Sequence, residues 1–305
     1  MTIFTVFFQM LALLLMIGAG YFITKQGMLD EHTNKQMSKL LVDVFNPLLI
    51  AASAANSVGL ISQAAMRTVG LIAAGMFAIF IFAGMLLVPV FERDREQQKI
   101  FQLMFVFSNL GFIGIPVVSS IVGAEYVVYV TEFILIYTIL LYTYGVALLS
   151  RRFSLSSLKE MINPGTVLGV AAMVIIIWEI QIPDFLKTAA TYLGNVTSPM
   201  ALAAIGFNLA HSDLKKTFGQ VRLYLFAIVK LLILPLLLLP LLRLITNDLP
   251  LISVCMVMFG MPVGNIPVML GMDKGIDVST GSAAIILTTV LCVFTIPILM
   301  FAVTY

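Results

Sequence analysis

Long apolar runs separated by short polar connections dominate this sequence. A helix that crosses a membrane needs roughly 20 mainly apolar residues, and ten runs reach about that length. They lie at 2–24, 36–58, 66–91, 99–121, 125–149, 163–182, 189–210, 219–244, 250–271 and 276–302. The runs are too long for the strands of a membrane barrel and lack their alternation. We therefore predict an all-α membrane protein with ten transmembrane helices.

The composition excludes several functional classes. Of the 305 residues, 61% are hydrophobic and 10% are charged, whereas soluble domains carry about 25% charged residues. The net charge of +2 is too small and too scattered for a nucleic-acid surface. Cys255 and Cys292 lie in apolar runs without the spacing of a metal site. We expect neither metal nor cofactor, apart from a coupling proton or sodium ion.

Catalytic motifs are also missing from the sequence. It contains no HExxH, GxSxG or Walker motif, so we expect neither an intramembrane enzyme nor an ATP-driven subunit. The first apolar run is longer than the core of a signal peptide. We interpret it as the first membrane helix.

Lysine and arginine residues predict the orientation, because cytoplasmic connections retain basic residues. Thirteen of the 17 lie in odd-numbered connections, three lie in even-numbered connections, and Lys230 lies within a run. We expect a multi-pass protein of the cytoplasmic membrane, with odd-numbered connections in the cytoplasm and both termini outside.

The sequence also contains an internal repeat. Pro47 in FNPLLIAASA and Pro199 in TSPMALAAIG are 152 residues apart, and Pro116 and Pro267 are 151 residues apart. Five runs per repeat place the second copy in the opposite orientation, as in many secondary transporters. We predict two inverted five-helix repeats, at 1–150 and 163–305, joined by a short cytoplasmic connection at 151–162.

Helix-breaking residues crowd the middle of the fourth and ninth runs, since proline removes a backbone donor and glycine weakens a helix. They are Gly111, Gly114, Pro116, Gly260, Pro262, Gly264 and Pro267. Helices interrupted at that depth can present free N–H groups to an anion. Asn109 and Asn265 lie beside the breaks, where their amides can bind substrate, replace lost backbone hydrogen bonds, or do both.

These motifs resemble those of the auxin efflux carrier family, which includes plant PIN carriers and bacterial malate or malonate permeases. The resemblance covers essentially the whole chain and is carried by the Asn46-Pro47 run, SNLGFIGIP, KLLILP and FGMPVGNIP. It implies crossed fourth and ninth helices, a fold related to bile-acid and sodium/proton transporters, and an anion bound at the crossing. The implied site residues are Asn109, Gly111, Gly114, Pro116, Pro262, Gly264, Asn265 and Pro267. The long cytoplasmic insertion of plant PIN carriers is absent, and a homodimer is suggested by the resemblance alone.

Two charged residues fall inside apolar runs, where charge is expensive. Lys230 can bond carbonyls freed by the broken ninth helix or pair with an acid; alternatively it can compensate a substrate's charge or switch with a proton. Glu132 is a partner or proton carrier, or a solvated residue near the end of its run.

Polar and aromatic residues supply further candidates. Asn46 precedes the proline of the second run, and Ser53 lies two turns later on the same helix face, as a site residue or as a helix-packing contact. Tyr137 lines the cavity or only packs.

The sequence thus predicts a carrier of small organic anions, such as malate, malonate or auxin-like acids, that works by alternating access. Transport would be coupled to protons or to sodium, or would occur by uniport. Membrane lipid would surround the protein. A transporter of another solute or a channel is the alternative.

Overall fold

The computed structural model describes residues 3–150, 164–211, 219–273, 276 and 279–304, and all regular structure in these ranges is helical. The helices are α1 Ile3–Lys25, α2 Glu31–Ser57, α3 Gln63–Phe91, α4 Arg95–Val106, α5 Leu110–Ile121, α6 Ala124–Leu149, α7 Pro164–Ile177, α8 Asp184–Asn195, α9 Thr197–Ala210, α10 Val221–Ile245, α11 Leu249–Phe259, α12 Asn265–Asp273 and α13 Ser279–Thr304.

Six of the described helices are long and apolar enough to cross a membrane, namely α1, α2, α3, α6, α10 and α13. Shorter apolar helices occur at Leu110–Ile121, Thr166–Ile177 and Leu249–Phe259. The chain is therefore a helical, multi-pass membrane protein. The count of ten spans and the inverted repeat stay predictions. The connection at 151–162 lies outside the described residues. So do Lys215, Lys216 and Lys274, which were counted in predicting the orientation.

Polar side chains define where several helices begin. Asp30 precedes α2 and accepts a hydrogen bond from the backbone N–H of Thr33 at 2.8 Å. Asp94 precedes α4, and its side chain accepts hydrogen bonds from two backbone N–H groups of that helix. Such N-caps satisfy donors that have no partner within the helix. The cap at Asp30 explains why α2 begins five residues before the predicted apolar run at 36–58.

The helices form two packed groups. In the first, α1 packs along α9, and the second half of α2 packs against α7 and α8. In the second group, α3 packs against α4 and α6, and α13 packs against α10 and α11. The groups meet where α1 contacts α13 and where α2 contacts α6. We call the first group the panel and the second the core bundle.

Close backbone contact between α1 and α9 holds the panel together. A Cβ added to Gly20 would collide with the backbone of Ala203, and one added to Gly206 would collide with the backbone of Ile17 and Tyr21. Small residues let membrane helices approach this closely, which favours van der Waals packing. A Cβ at Gly18 on α1 would contact nothing within 4 Å.

We expect Gly20→Ala to destabilise the protein by about 1–3 kcal/mol, because the new methyl group overpacks a backbone contact. Gly18→Ala is the matched control on the same helix, and it should be neutral or slightly stabilising because alanine favours helices. Thermal unfolding of the purified protein in detergent measures both. Equal unfolding temperatures for the two variants would contradict the close packing.

Candidate functional site

Two interrupted helices meet in the core bundle. The first interruption, 107–109, separates α4 from α5, and the second, 260–264, separates α11 from α12. The backbone N–H of Asn109 donates to the carbonyl of Pro262 at 2.8 Å, and the N–H of Gly264 donates to the carbonyl of Phe107 at 3.1 Å. Ser108 and Val263 thereby form a short antiparallel bridge. We call these two paired segments the crossing.

The first break does not fall where the helix-breaking residues predict it. Gly111, Gly114 and Pro116 lie inside α5, in a π-helical turn at Leu110–Gly114 and the first α-helical turn after it. Proline is tolerated there because the wide π-helical turn before it accommodates the missing donor and the proline ring. The second break includes Gly260, Pro262 and Gly264, as predicted, and Pro267 follows in α12.

The backbone pairing at the crossing favours glycine at position 264. A Cβ at Gly264 would lie 3.1 Å from the carbonyl oxygen of Phe107 and 3.2 Å from that of Ser108. These distances are tighter than ordinary packing contacts. The absence of a side chain lets the two backbones reach hydrogen-bonding distance.

Side chains complete the hydrogen bonding of the crossing. In an unbroken helix the N–H of Asn109 would bond the carbonyl of Phe105, but here it bonds Pro262. The ammonium of Lys230 takes its place, donating to the Phe105 carbonyl at 3.0 Å. On α13, Thr288 Oγ1 accepts from the N–H of Val263 at 3.1 Å. These backbone groups at the breaks are thus paired within the protein.

Lys230 is fully buried. Its ammonium was expected to bond a carbonyl of the ninth apolar run, but it bonds the Phe105 carbonyl of the fourth. Its second acceptor is Ser108 Oγ at 2.8 Å, and its ammonium lies 5.2 Å from the centre of the Phe80 ring. Among the residues described here, no carboxylate lies within salt-bridge distance of it. These contacts fit a structural role and leave the charge without a counter-ion.

A cavity of about 280 Å³ opens between α2 of the panel and the crossing. Its apolar lining residues are Val42, Ile50, Leu110, Phe112, Ile134, Leu141 and Ile266. Its remaining lining residues are Asn46, Ser108, Asn109, Gly111, Tyr137, Thr138, Tyr142, Gly264 and Asn265. Ligand pockets for drug-sized molecules span about 300–1,000 Å³, so this cavity suits a small molecule.

The structure brings six of the predicted binding residues together in this cavity: Asn46, Asn109, Gly111, Tyr137, Gly264 and Asn265. Gly114, Pro116, Pro262 and Pro267 are not among its lining residues and instead shape the interrupted helices. Sequence reasoning missed Ser108 and Thr138. Ser108 stands next to Asn109 in SNLGFIGIP, which was the available signal.

Asn109 takes one of the two roles left open for it, and its role in substrate binding stays a prediction. Its side-chain oxygen accepts from the N–H of Phe112 at 3.1 Å and so caps α5. Its amide nitrogen has no acceptor in the described part of the chain and is available to the cavity. Asn265 begins α12, whose first N–H groups lack partners within the helix.

Tyr137 both lines the cavity and packs. Its ring makes edge contacts with Phe107 and Phe77, with centroid distances of 5.1 Å and 6.3 Å. The contact with Phe107 places Tyr137 directly against the first break.

Ser53 lies outside the cavity lining, and its hydroxyl is occupied elsewhere. Ser53 Oγ bonds the carbonyl of Ala124 at 2.9 Å and accepts from the N–H of Val128 at 2.9 Å. Ser57 Oγ lies 2.6 Å from the carbonyl oxygen of Glu125 and 2.6 Å from that of Ser53 on its own helix, so the two carbonyls share its one hydroxyl hydrogen. These bonds join the end of α2 to the start of α6, and we call them the serine latch.

Glu132 is also outside the cavity lining. It lies in α6 with 7% of its surface exposed, facing α3, where a Cβ on Gly70 would lie 3.2 Å from its Oε2. It does not bond Lys230, whose acceptors are Phe105 and Ser108. In the described ranges no three acidic, histidine or cysteine side chains group as metal ligands would.

A larger crevice of about 360 Å³ lies between α3 and α10. Thr68 is its one lining residue with a polar side chain, and Leu71 and Ile245 on its rim are strongly exposed. It contains none of the donors that organise the cavity at the crossing. The polar cavity is therefore the candidate site.

Comparison with known proteins identifies the family of the chain. The sequence profile described as "Membrane transport protein" matches residues 5–155 and 150–300. An uncharacterized transporter of Methanocaldococcus jannaschii is 23% identical over 290 residues, covering 92% of each chain. The chain is a member of the membrane transport protein family, the auxin efflux carrier family that its sequence motifs resemble.

Proposed function

We propose that this transporter carries a small organic anion through the cavity at the crossing by alternating access. The observation that carries the proposal is the buried ammonium of Lys230, which has no carboxylate partner among the described residues and bonds a hydroxyl of the cavity wall, Ser108. A buried charge without a partner is costly. An anion in the cavity would supply the missing opposite charge.

The hydrogen-bond donors at the crossing also favour a negatively charged substrate. Helices α5 and α12 both begin at the cavity, and helix N-termini carry partial positive charge. The free amide nitrogen of Asn109 adds a directed donor. A carboxylate accepts several hydrogen bonds and donates none, so it is the chemical group that this end of the cavity fits.

The placement of the cavity relative to the serine latch supports alternating access. The cavity lies against Val42, Asn46 and Ile50 of α2, and the latch closes the interface farther along the same helix, at Ser53 and Ser57. Ser120 Oγ also donates to Gln9 at 2.7 Å, joining α5 to α1. With the orientation inferred from basic residues, the cavity faces the cytoplasm and the latch closes the outer side.

Proteoliposomes containing the protein should take up at least one small carboxylate with saturable kinetics. Asn109→Ala combined with Asn265→Ala should reduce that uptake about tenfold or more, since two donors worth about 1 kcal/mol each are lost. Uptake is measured with labelled mono- and dicarboxylates across pH, with and without sodium, which also identifies a coupling ion. Unchanged uptake in the double variant would exclude the crossing as the site, and flux without saturation would indicate a channel.

Removing the buried charge should weaken anion binding. We expect Lys230→Met to raise the half-saturating substrate concentration about tenfold, which corresponds to about 1.4 kcal/mol of lost attraction. Lys187→Met is the control, because Lys187 lies on α8 and pairs with exposed Asp184 at 3.6 Å. Wild-type protein should also discriminate between a carboxylate and its neutral amide. Equal affinity for the acid and the amide would contradict charge compensation, even if Lys230→Met failed to fold.

Weakening the serine latch should favour opening on its own side. Ser53→Ala combined with Ser57→Ala removes bonds worth about 2 kcal/mol in total, enough to shift a two-state equilibrium about 30-fold. A cysteine at cavity residue Ile50 should then react faster with an impermeant maleimide added on the latch side. Thr191→Ala is the control, because that hydroxyl bonds only its own helix at Lys187. An unaltered labelling rate would show that the latch does not hold this face closed.

A further inference from the structure

We propose that Asn46 makes the cavity selective for anions that carry a second group able to donate a hydrogen bond, such as a hydroxyl. This inference rests on the proposed function and specifies its substrate class. Asn46 would accept that hydrogen bond while the crossing holds the carboxylate.

The side-chain oxygen of Asn46 is the structural basis of the inference. It is buried and has no hydrogen-bond partner among the residues that the structure describes. Asn46 lines the cavity on the side of α2. A buried amide oxygen left unpaired is unfavourable, so binding a molecule that donates to it gains free energy that a molecule without a donor does not.

The local backbone directs Asn46 toward the crossing. A π-helical turn at Leu41–Phe45 immediately precedes it, and its own N–H bonds back to the carbonyl of Leu41. Pro47 follows, and the wide turn accommodates the missing donor and the bulk of the proline ring. A Cβ on Gly111 would lie 3.6 Å from the amide nitrogen of Asn46, so the side chain reaches across to the start of α5.

The cavity has hydrogen-bond donors at the crossing and acceptors on the side of α2 and α6. The crossing offers donors, namely the Asn109 amide nitrogen and the first N–H groups of α12, since Leu110 and Phe112 of α5 already donate their N–H groups to Ser108 and Asn109. On the other side, Asn46 contributes an acceptor, and Thr138 already donates its hydroxyl hydrogen to the carbonyl of Ile134 at 2.8 Å, which leaves its oxygen to accept. A carboxylate matches the first side but cannot donate to the second.

A substrate that fits both sides therefore combines a carboxylate with a donor group in a molecule small enough for about 280 Å³. Small hydroxy acids meet this description. Their analogues without the hydroxyl leave the Asn46 oxygen unpaired.

Two pairs of acids test the inference, because the members of each pair differ in one hydroxyl group. These are malate with succinate, and lactate with propionate. We expect purified wild-type protein to bind the hydroxy acid of at least one pair about tenfold more tightly, as measured by calorimetry or ligand-induced thermal stabilisation, with competition for uptake in proteoliposomes as a second readout.

Asn46→Leu should bring the affinity ratio of that pair close to one, mainly by weakening the hydroxy acid. Asn46→Ala serves as a second variant if the leucine disturbs folding. Asn56→Leu is the matched control, because Asn56 lies on the same helix, is exposed and does not line the cavity. This control should keep the wild-type ratio.

The possible failures are distinguishable. If wild-type protein takes up both members of each pair with equal affinity, the role of Asn46 is wrong and the proposed anion transport stands. The same holds if Asn46→Leu keeps the wild-type ratio. If no carboxylate binds or is transported, the proposed function fails and this inference fails with it.

Discussion

The membrane's demand that every backbone polar group find a partner within the protein is the constraint on which this structure depends. Two helices are interrupted in the core bundle, and each interruption is satisfied by the other through the bridge between Ser108 and Val263. The Lys230 ammonium donates to the Phe105 carbonyl in place of a helical N–H group, and Thr288 Oγ1 accepts from the N–H of Val263. Without this pairing, neither break is compatible with an apolar environment.

The same solution creates the chemistry of the cavity. The helices that restart at Leu110 and Asn265 both begin at the cavity, which places the positive ends of two helix dipoles there. Because a lysine rather than a backbone amide completes α4, a full positive charge lies behind the cavity wall. Under the proposed function, structural repair and substrate attraction are two effects of one arrangement, so the two roles considered for Lys230 are compatible.

Much of this could be predicted from the sequence, because apolar length and helix-breaking residues act locally. The apolar runs overlap the described helices, although the run at 189–210 covers the end of α8 and all of α9. Lys230 was expected to be buried near a break, and six proposed binding residues do line one cavity. The predictions went wrong where partners come from distant parts of the chain. No local sequence signal places the first break before Gly111. None predicts that Lys230 bonds Ser108 or that Ser53 bonds a carbonyl of α6, since each contact depends on how separate helices pack.

The π-helical turns follow a simpler rule. Of the four in the described residues, those at Leu41–Phe45, Leu110–Gly114 and Val229–Ile233 each end two residues before a proline. Each widened turn lies beside the cavity or contains Lys230. The prolines thus mark the site from the sequence, although they shape the backbone on its N-terminal side rather than at their own positions.

Asn46 on α2 contributes no hydrogen bond to the crossing, although it forms part of the same cavity. The acceptor side of the cavity can therefore be exchanged while the paired breaks and the buried lysine stay as they are. Under the proposed function, a library of variants confined to Val42, Asn46 and Ile50 would change which solutes the cavity accepts and leave the hydrogen bonds of the crossing in place. Protein engineers could vary this stretch of α2 and keep the rest of the transporter unchanged.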